Sequence, residues 1–200
     1  HGWAGALPAL YSYGDMQVIA QLREDDGTLT IAPRYALSLL LGGSASNAFG
    51  KFTLRAEVGY ATNRYVLTDD PRNEEGVAKT NEVSSVIGLD YQANADTFFS
   101  SQFFLSVLAS DPKDAIRDQT TGTVTLLARR ELRNDTIKIE GLLIQDLNQG
   151  DGLLQISANY ELTSTVTLRT GIDFFYGDTD GIYGQFDKND RFTFGVEYGF

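Results

Sequence analysis

The chain has 200 residues, and Asp and Glu outnumber Lys and Arg by 27 to 16, a formal charge of −11. That balance argues against a nucleic-acid partner, and the absence of cysteine excludes disulfides, thiolate metal sites and a cysteine nucleophile. No apolar run approaches the ~18–20 residues a spanning helix needs, so a helical membrane protein is excluded too.

The length fits one domain. The start at His1, with neither an initiator methionine nor an apolar leader, reads as a mature, processed or excised chain. Residues 1–15 predict an N-terminal segment or partial strand around Trp3, Leu7 and Leu10, and 16–200 predict one β domain. From Met16 to Arg23, apolar Met16, Val18, Ala20 and Leu22 alternate with polar Gln17, Gln21 and Arg23. The same period of two runs through Arg34–Gly42, Phe52–Tyr60, Ser84–Gln92, Phe99–Val107 and Val124–Leu132. It continues through Ile137–Leu143, Leu154–Leu162, Val166–Tyr176 and Arg191–Phe200. Such alternation marks strands with one apolar and one polar face, and helical spacing appears nowhere over a useful length. The expected fold is all-β, with about ten strands.

Which face turns inward decides between two architectures. A soluble sandwich buries the apolar face, whereas a transmembrane barrel turns it to lipid and lines a lumen with the polar one. Three features favour the barrel. Several strands run to about ten residues, the tilted span of a bilayer. The connections alternate: tight near 47–50, 93–96, 133–136 and 163–165, longer and polar at 69–80, 110–121 and 177–190, although the links at 24–28 and 149–152 are short. Aromatic residues gather near strand ends, with Phe52, Tyr91, Phe99, Tyr160, Tyr198 and Phe200 toward the tight turns and Tyr35, Tyr65, Phe174, Tyr176 and Phe192 toward the long loops, as interfacial girdles do. Arg130 falls on the apolar face near the tight-turn end, where a long side chain can snorkel.

The ending VEYGF, an amphipathic strand with a terminal phenylalanine, resembles a Gram-negative outer-membrane β-barrel protein of porin-like type. The tail GQFDKNDRFTFGVEYGF and the strand FTLRAEVGY resemble the C-terminal part of larger proteobacterial outer-membrane barrels. The resemblance implies an antiparallel up-and-down barrel in the bacterial outer membrane, whole or as part of a larger barrel with further strands or subunits. It also implies contact with outer-membrane lipid and lipopolysaccharide, and recognition of the last strand by the barrel-assembly machinery.

With the polar face inward, the lumen would be lined by Arg34, Arg55, Glu57, Asp90, Arg129, Glu131, Lys138, Glu140, Glu161, Arg169, Asp173 and Glu197. Simple register across 133–136 predicts Arg129 beside Glu140 and Glu131 beside Lys138, while Asp173 and Glu197 are expected to meet Arg169 and Arg191. A closed ten-strand barrel would be narrow and filled by side chains; a larger one would hold a water-filled pore. The expected function is therefore passive passage of small polar solutes, which needs no cofactor. The alternatives are a non-conducting structural or adhesive barrel acting through its acidic outer loops, and a soluble β domain.

An enzyme is not expected, because the sole histidine is His1 and general-base chemistry on histidine is lost with it. The stretch 42–46 (GGSAS) lies at a predicted strand end and lacks a nucleophile elbow's strand-to-helix context. Asp178 to Gly181 begins like a calcium loop without its later ligands, and Asn134–Thr136 matches a glycosylation acceptor only by chance. The outer loops carry Asp25, Asp26, Asp69, Asp70, Glu74, Glu75, Asp111, Asp114, Asp118, Asp178, Asp180, Asp187 and Asp190. They read either as a solubilising surface or as divalent-cation bridges to lipopolysaccharide phosphates.

Overall fold

A computed structural model describes residues 4–22, 29–72, 77–110 and 114–199, with backbone alone for 4–22 and 29–36. Ten strands form: β1 (Ala4–Leu22), β2 (Leu29–Phe49), β3 (Phe52–Leu67), β4 (Val77–Asn94), β5 (Thr97–Leu108), β6 (Thr120–Leu132), β7 (Ile137–Asp146), β8 (Gly152–Thr163), β9 (Val166–Tyr176) and β10 (Arg191–Tyr198). They make one antiparallel sheet whose spatial order is the chain order. Among the described residues the one helical turn is the 3-10 segment Gly184–Phe186.

The tight turns fix the register. Phe49 pairs with Phe52, Asn94 with Thr97 and Thr163 with Val166, so each of these hairpins closes over two residues. The fourth short turn, 133–136, places Arg133, Asn134 and Asp135 in succession at φ 52°, 52° and 65°. Asn and Asp tolerate this left-handed region better than most residues, and Asn134 and Asp135 supply two of the three.

Three expectations change. The N-terminal segment belongs to a full strand, since β1 starts at Ala4. The 42–46 stretch lies inside β2, which continues to Phe49; Gly, Ser and Ala preserve the pleat while showing no hydropathy contrast. The sheet is also not closed. Among the described residues β1 pairs only with β2 and β10 only with β9, in place of a ten-strand barrel. Its two free edges differ in length, β1 presenting nineteen residues and β10 eight.

All strands share one sheet, so the described residues contain no second layer to cover the apolar face. Val66, Leu108 and Leu153 are the buried hydrophobic residues among them. Leu126, Ile156 and Phe194 are 46%, 44% and 68% exposed. On the opposite face the side chains of Asp90 and Asp173 are only 16% and 10% exposed. These two carboxylates are more sheltered than the leucines and phenylalanines opposite them, whereas Glu197 on the same face is 57% exposed.

Candidate functional site

The registers place Arg55, Glu57, Asp90, Arg129, Glu131, Lys138, Glu140, Glu161, Arg169, Asp173 and Glu197 on one face of the sheet. Arg34 lies in β2 opposite Gln17, but its side chain is outside the described residues, as is Phe200. Strand alternation alone produces this gathering, because residues two apart point the same way.

The face is organised as cross-strand ion pairs. Arg129 Nε donates to Glu140 Oε2 at 2.8 Å, with its guanidinium carbon 5.8 Å from the Phe98 ring centre. Arg191 Nε donates to Asp173 Oδ2 at 2.8 Å, while Gln155 Nε2 donates to Asp173 Oδ1 at 2.9 Å. Arg169 pairs diagonally with Glu197. Arg55 Nη2 reaches Asp90 Oδ1 at 2.9 Å past Gly88, its partner in the ladder. Glu131 stands opposite Lys138 in the ladder, and Glu161 opposite Thr167. The expected partners of Arg129, Asp173 and Glu197 are therefore the observed ones.

Between the charged rows lie two hollows. One, of 410 Å³, is floored by Ser157, Gly171 and Thr193 and walled by Glu140, Asn159, Arg169, Asp173 and Arg191. The other, of 400 Å³, runs over Gly42, Ser44, Glu57, Gly59 and Ser84. The first carries charged and amide groups along its walls, where polar solutes and water find partners; the second is walled mainly by Leu40, Val58, Val86 and Phe104, with Glu57 its one charged residue.

Two loops fold back at the long-loop end. In the β5–β6 connection the Ile116 N–H donates to Leu67 O at 3.0 Å and Ala115 forms a bridge with Thr68. This carries Arg117 over the polar face, where its Nη1 donates to Glu82 Oε1 at 3.0 Å. Arg64 Nε donates to Glu82 Oε2 at 3.0 Å, and Ser106 bridges Glu82 and Arg117 through its hydroxyl. The β9–β10 connection wraps around Asp151, a fully buried carboxylate whose Oδ2 accepts from Tyr183 N–H at 2.6 Å and Gly184 N–H at 3.1 Å. A Cβ at Gly177, Gly181 or Gly184 would collide with Asp151 or with the Asp178 backbone, so this loop closes only on glycine. Phe186 rests against Phe175 with ring centres 5.6 Å apart.

Sequence reasoning missed Glu82, Arg117 and Asp151. The sole signal for the last was the glycine spacing at 177, 181 and 184; nothing local marked Arg117 as a residue that folds inward. Among the described residues no three acidic side chains converge into a metal cage.

On the apolar face Phe52, Tyr91 and Phe99 stack in register near the short turns, their ring centres 4.6 and 6.4 Å apart. Tyr160 and Tyr198, opposite Leu168 and Val166, stand at the same end, exposed. At the other end Phe174 is exposed, and Tyr176 covers Gly152 and donates its hydroxyl proton to Gln145 Oε1 at 2.6 Å. Arg130, opposite Thr97 and Ile139, belongs to the apolar face beside the short turn, at the position its parity implies. No family model and no curated protein matches the chain.

Proposed function

We propose that the chain is the wall of an outer-membrane β-barrel whose polar face lines a porin-like channel for passive passage of small polar solutes. The observation that carries this reading is the inverted exposure of the two faces. Aromatic and aliphatic side chains lie open on one side, while on the other the charged side chains are joined in pairs and the carboxylates of Asp90 and Asp173 are sheltered. Lipid is the solvent that makes such a sheet stable, since charged side chains cost about 2–4 kcal/mol on a lipid-facing barrel surface and apolar ones are favoured. The stacked Phe52–Tyr91–Phe99 row suits an interface with headgroups, and the acidic loops suit the outer face beside lipopolysaccharide. β10 is the strand that the barrel-assembly machinery would recognise. Further strands or subunits complete the barrel at the edges of β1 and β10, giving a lumen wider than ten strands enclose.

A specific observation favours a second reading, a non-conducting barrel that acts through its outer loops: the β5–β6 and β9–β10 connections both fold toward the polar face and are pinned there. Planar-bilayer recording separates the two. A channel gives ohmic steps that change when Arg129 or Arg169 becomes Ala. Because the loops are acidic, those steps are expected to favour cations. Silence from correctly folded protein refutes the channel and leaves the loop-mediated role.

A further inference from the structure

The short turns that join β4 to β5 and β6 to β7 lie side by side, tied by the Glu131 N–H donating to Asp96 O at 2.8 Å. Between them is a hollow of 240 Å³ to which Arg130 and Arg133 bring two cations and Asp96 and Asp135 two carboxylates. All four side chains are exposed, and none of them makes an ion pair among the described residues, although opposite charges share so small a space. Elsewhere on the sheet neighbouring opposite charges join directly, as Arg129 and Glu140 do. Glu131 also lines the hollow, from the polar face, where it stands opposite Lys138. An apolar groove adjoins. Arg130 and Ala128 are two residues apart in β6 and share a face, about 7 Å apart along the strand. At Ala128 the aromatic row breaks: Phe52, Tyr91 and Phe99 are followed across the sheet by Ala128 and Gly141 before Ile156 restores bulk. A Cβ at Gly141 would meet no atom within 4 Å, and the gap opens into a groove of 480 Å³ walled by Leu89, Phe99, Leu126, Leu143 and Leu154.

We infer that the hollow and the groove together hold one phospholipid whose headgroup carries a primary ammonium, as phosphatidylethanolamine does. The guanidiniums of Arg130 and Arg133 match a phosphate, the carboxylates of Asp96 and Asp135 match an ammonium, and an acyl chain fits the groove through the break in the aromatic row. Snorkelling explains a lone arginine at the border of an apolar face. It does not explain a second arginine and two unpaired carboxylates gathered with it, directly beyond that break. A purely anionic headgroup would meet the same carboxylates and a chain of net charge −11, so a headgroup bearing both signs is the one the hollow complements. The inference rests on the membrane reading and deepens it by naming the lipid held at the short-turn end.

Native mass spectrometry of the full chain in detergent micelles tests it, with dioleoylphosphatidylethanolamine and dioleoylphosphatidylcholine as probes. The two share phosphate and chains, but choline has no N–H to donate, so the ethanolamine lipid is expected to bind about threefold more tightly or better. Asp96→Asn with Asp135→Asn should erase that preference. Arg130→Gln with Arg133→Gln should weaken both lipids about three- to thirtyfold, the yield of two exposed charge pairs. Gly141→Leu fills the break and should weaken both lipids as well, whereas Gly195→Leu, equally open but on the polar face, should weaken neither. Equal binding of the two lipids by the parent, or a preference that survives the aspartate substitutions, overturns the inference. Flotation with phosphatidylcholine vesicles keeps this proposal apart from the membrane reading. Insertion into vesicles without a preference for the ethanolamine lipid refutes the site alone. A preference in micelles from a chain that stays out of vesicles refutes the membrane reading alone.

Discussion

Replacing Glu82 by Gln keeps the side chain's size and removes its charge, which isolates the contact that holds the β5–β6 loop against the wall. Glu82 accepts from Arg64 Nε and Arg117 Nη1, both at 3.0 Å, and its own side chain is 13% exposed. A hydrogen bond to a charged group contributes about 1.5–3 kcal/mol; because the Arg117 side chain is 31% exposed, we take the lower figure. A loss of ~1.5 kcal/mol multiplies the population of detached loop about tenfold. Trypsin reads that population directly, since cleavage at Arg117 requires the guanidinium to enter the protease pocket and therefore to leave Glu82. When opening and closing are fast relative to cleavage, the rate follows the open fraction. Glu82→Gln should thus be cut after Arg117 about tenfold faster than the parent. Glu57→Gln, on the same face but opposite Val86, should leave the rate unchanged. Equal rates for the parent and Glu82→Gln would refute the reasoning, as would equal acceleration by Glu57→Gln.

The other expected outcomes concern the apolar face, the aromatic row and the second loop. Leu126→Arg, mid-strand on the exposed face, should destabilise the protein by about 2–4 kcal/mol in lipid refolding titrations if that face meets hydrocarbon; a change within ~0.5 kcal/mol would place it in water. Tyr91→Ala removes both stacking contacts at once, and at about 0.5–1.5 kcal/mol per aromatic pair should cost about 1–3 kcal/mol in the same titration. An effect no larger than that of Ile87→Ala would show that the stack adds nothing beyond area. Asp151→Ala removes the acceptor for two loop N–H groups and should speed tryptic cleavage at exposed Lys188 by roughly tenfold or more. Unaltered protection at Lys188 would show that the loop holds without it.

Most of the sheet was legible because two local rules overlap in it. Period two assigns every residue of a strand to a face, and a two-residue hairpin then fixes which residue opposes which, since a slip by one exchanges the faces. Arg129 meeting Glu140 follows from parity and the short turn at 133–136; Arg191 meeting Asp173 and Arg169 meeting Glu197 lie across the long 177–190 loop, where parity gathered the four residues on one face without fixing which meets which. Strand ends were harder. β4 begins at Val77, seven residues before its clear alternation, because AKTNE carries no apolar contrast, and β2 passes unseen through GGSAS. The inward loops lay beyond reach. Nothing in DPKDAIR signals that Arg117 turns back to a glutamate 35 residues upstream, since that contact depends on how long β3 and β4 grow before their loop. Closure was equally unreadable, because it is a property of the edges and not of any strand's own sequence.

The free edges limit which solvent suits the sheet. About half of the eight residues of β10 direct both N–H and C=O away from β9, and in hydrocarbon each unsatisfied group costs several kcal/mol, so an open edge there is untenable. Water would satisfy the edge, but it would also bathe Phe192, Phe194, Val196 and Tyr198, each more than 60% exposed on that one short strand. The sheet as it stands therefore suits neither solvent. Pairing the free edges with further strands, whether of a longer chain or of neighbouring copies, removes the first penalty and permits lipid to remove the second. Covering the apolar face with a second protein layer in water would also answer both, since water satisfies the edge. It would leave unexplained why the ion-paired carboxylates of Asp90 and Asp173 are sheltered on the opposite side, where the residues between them are small enough to leave room for water and solute.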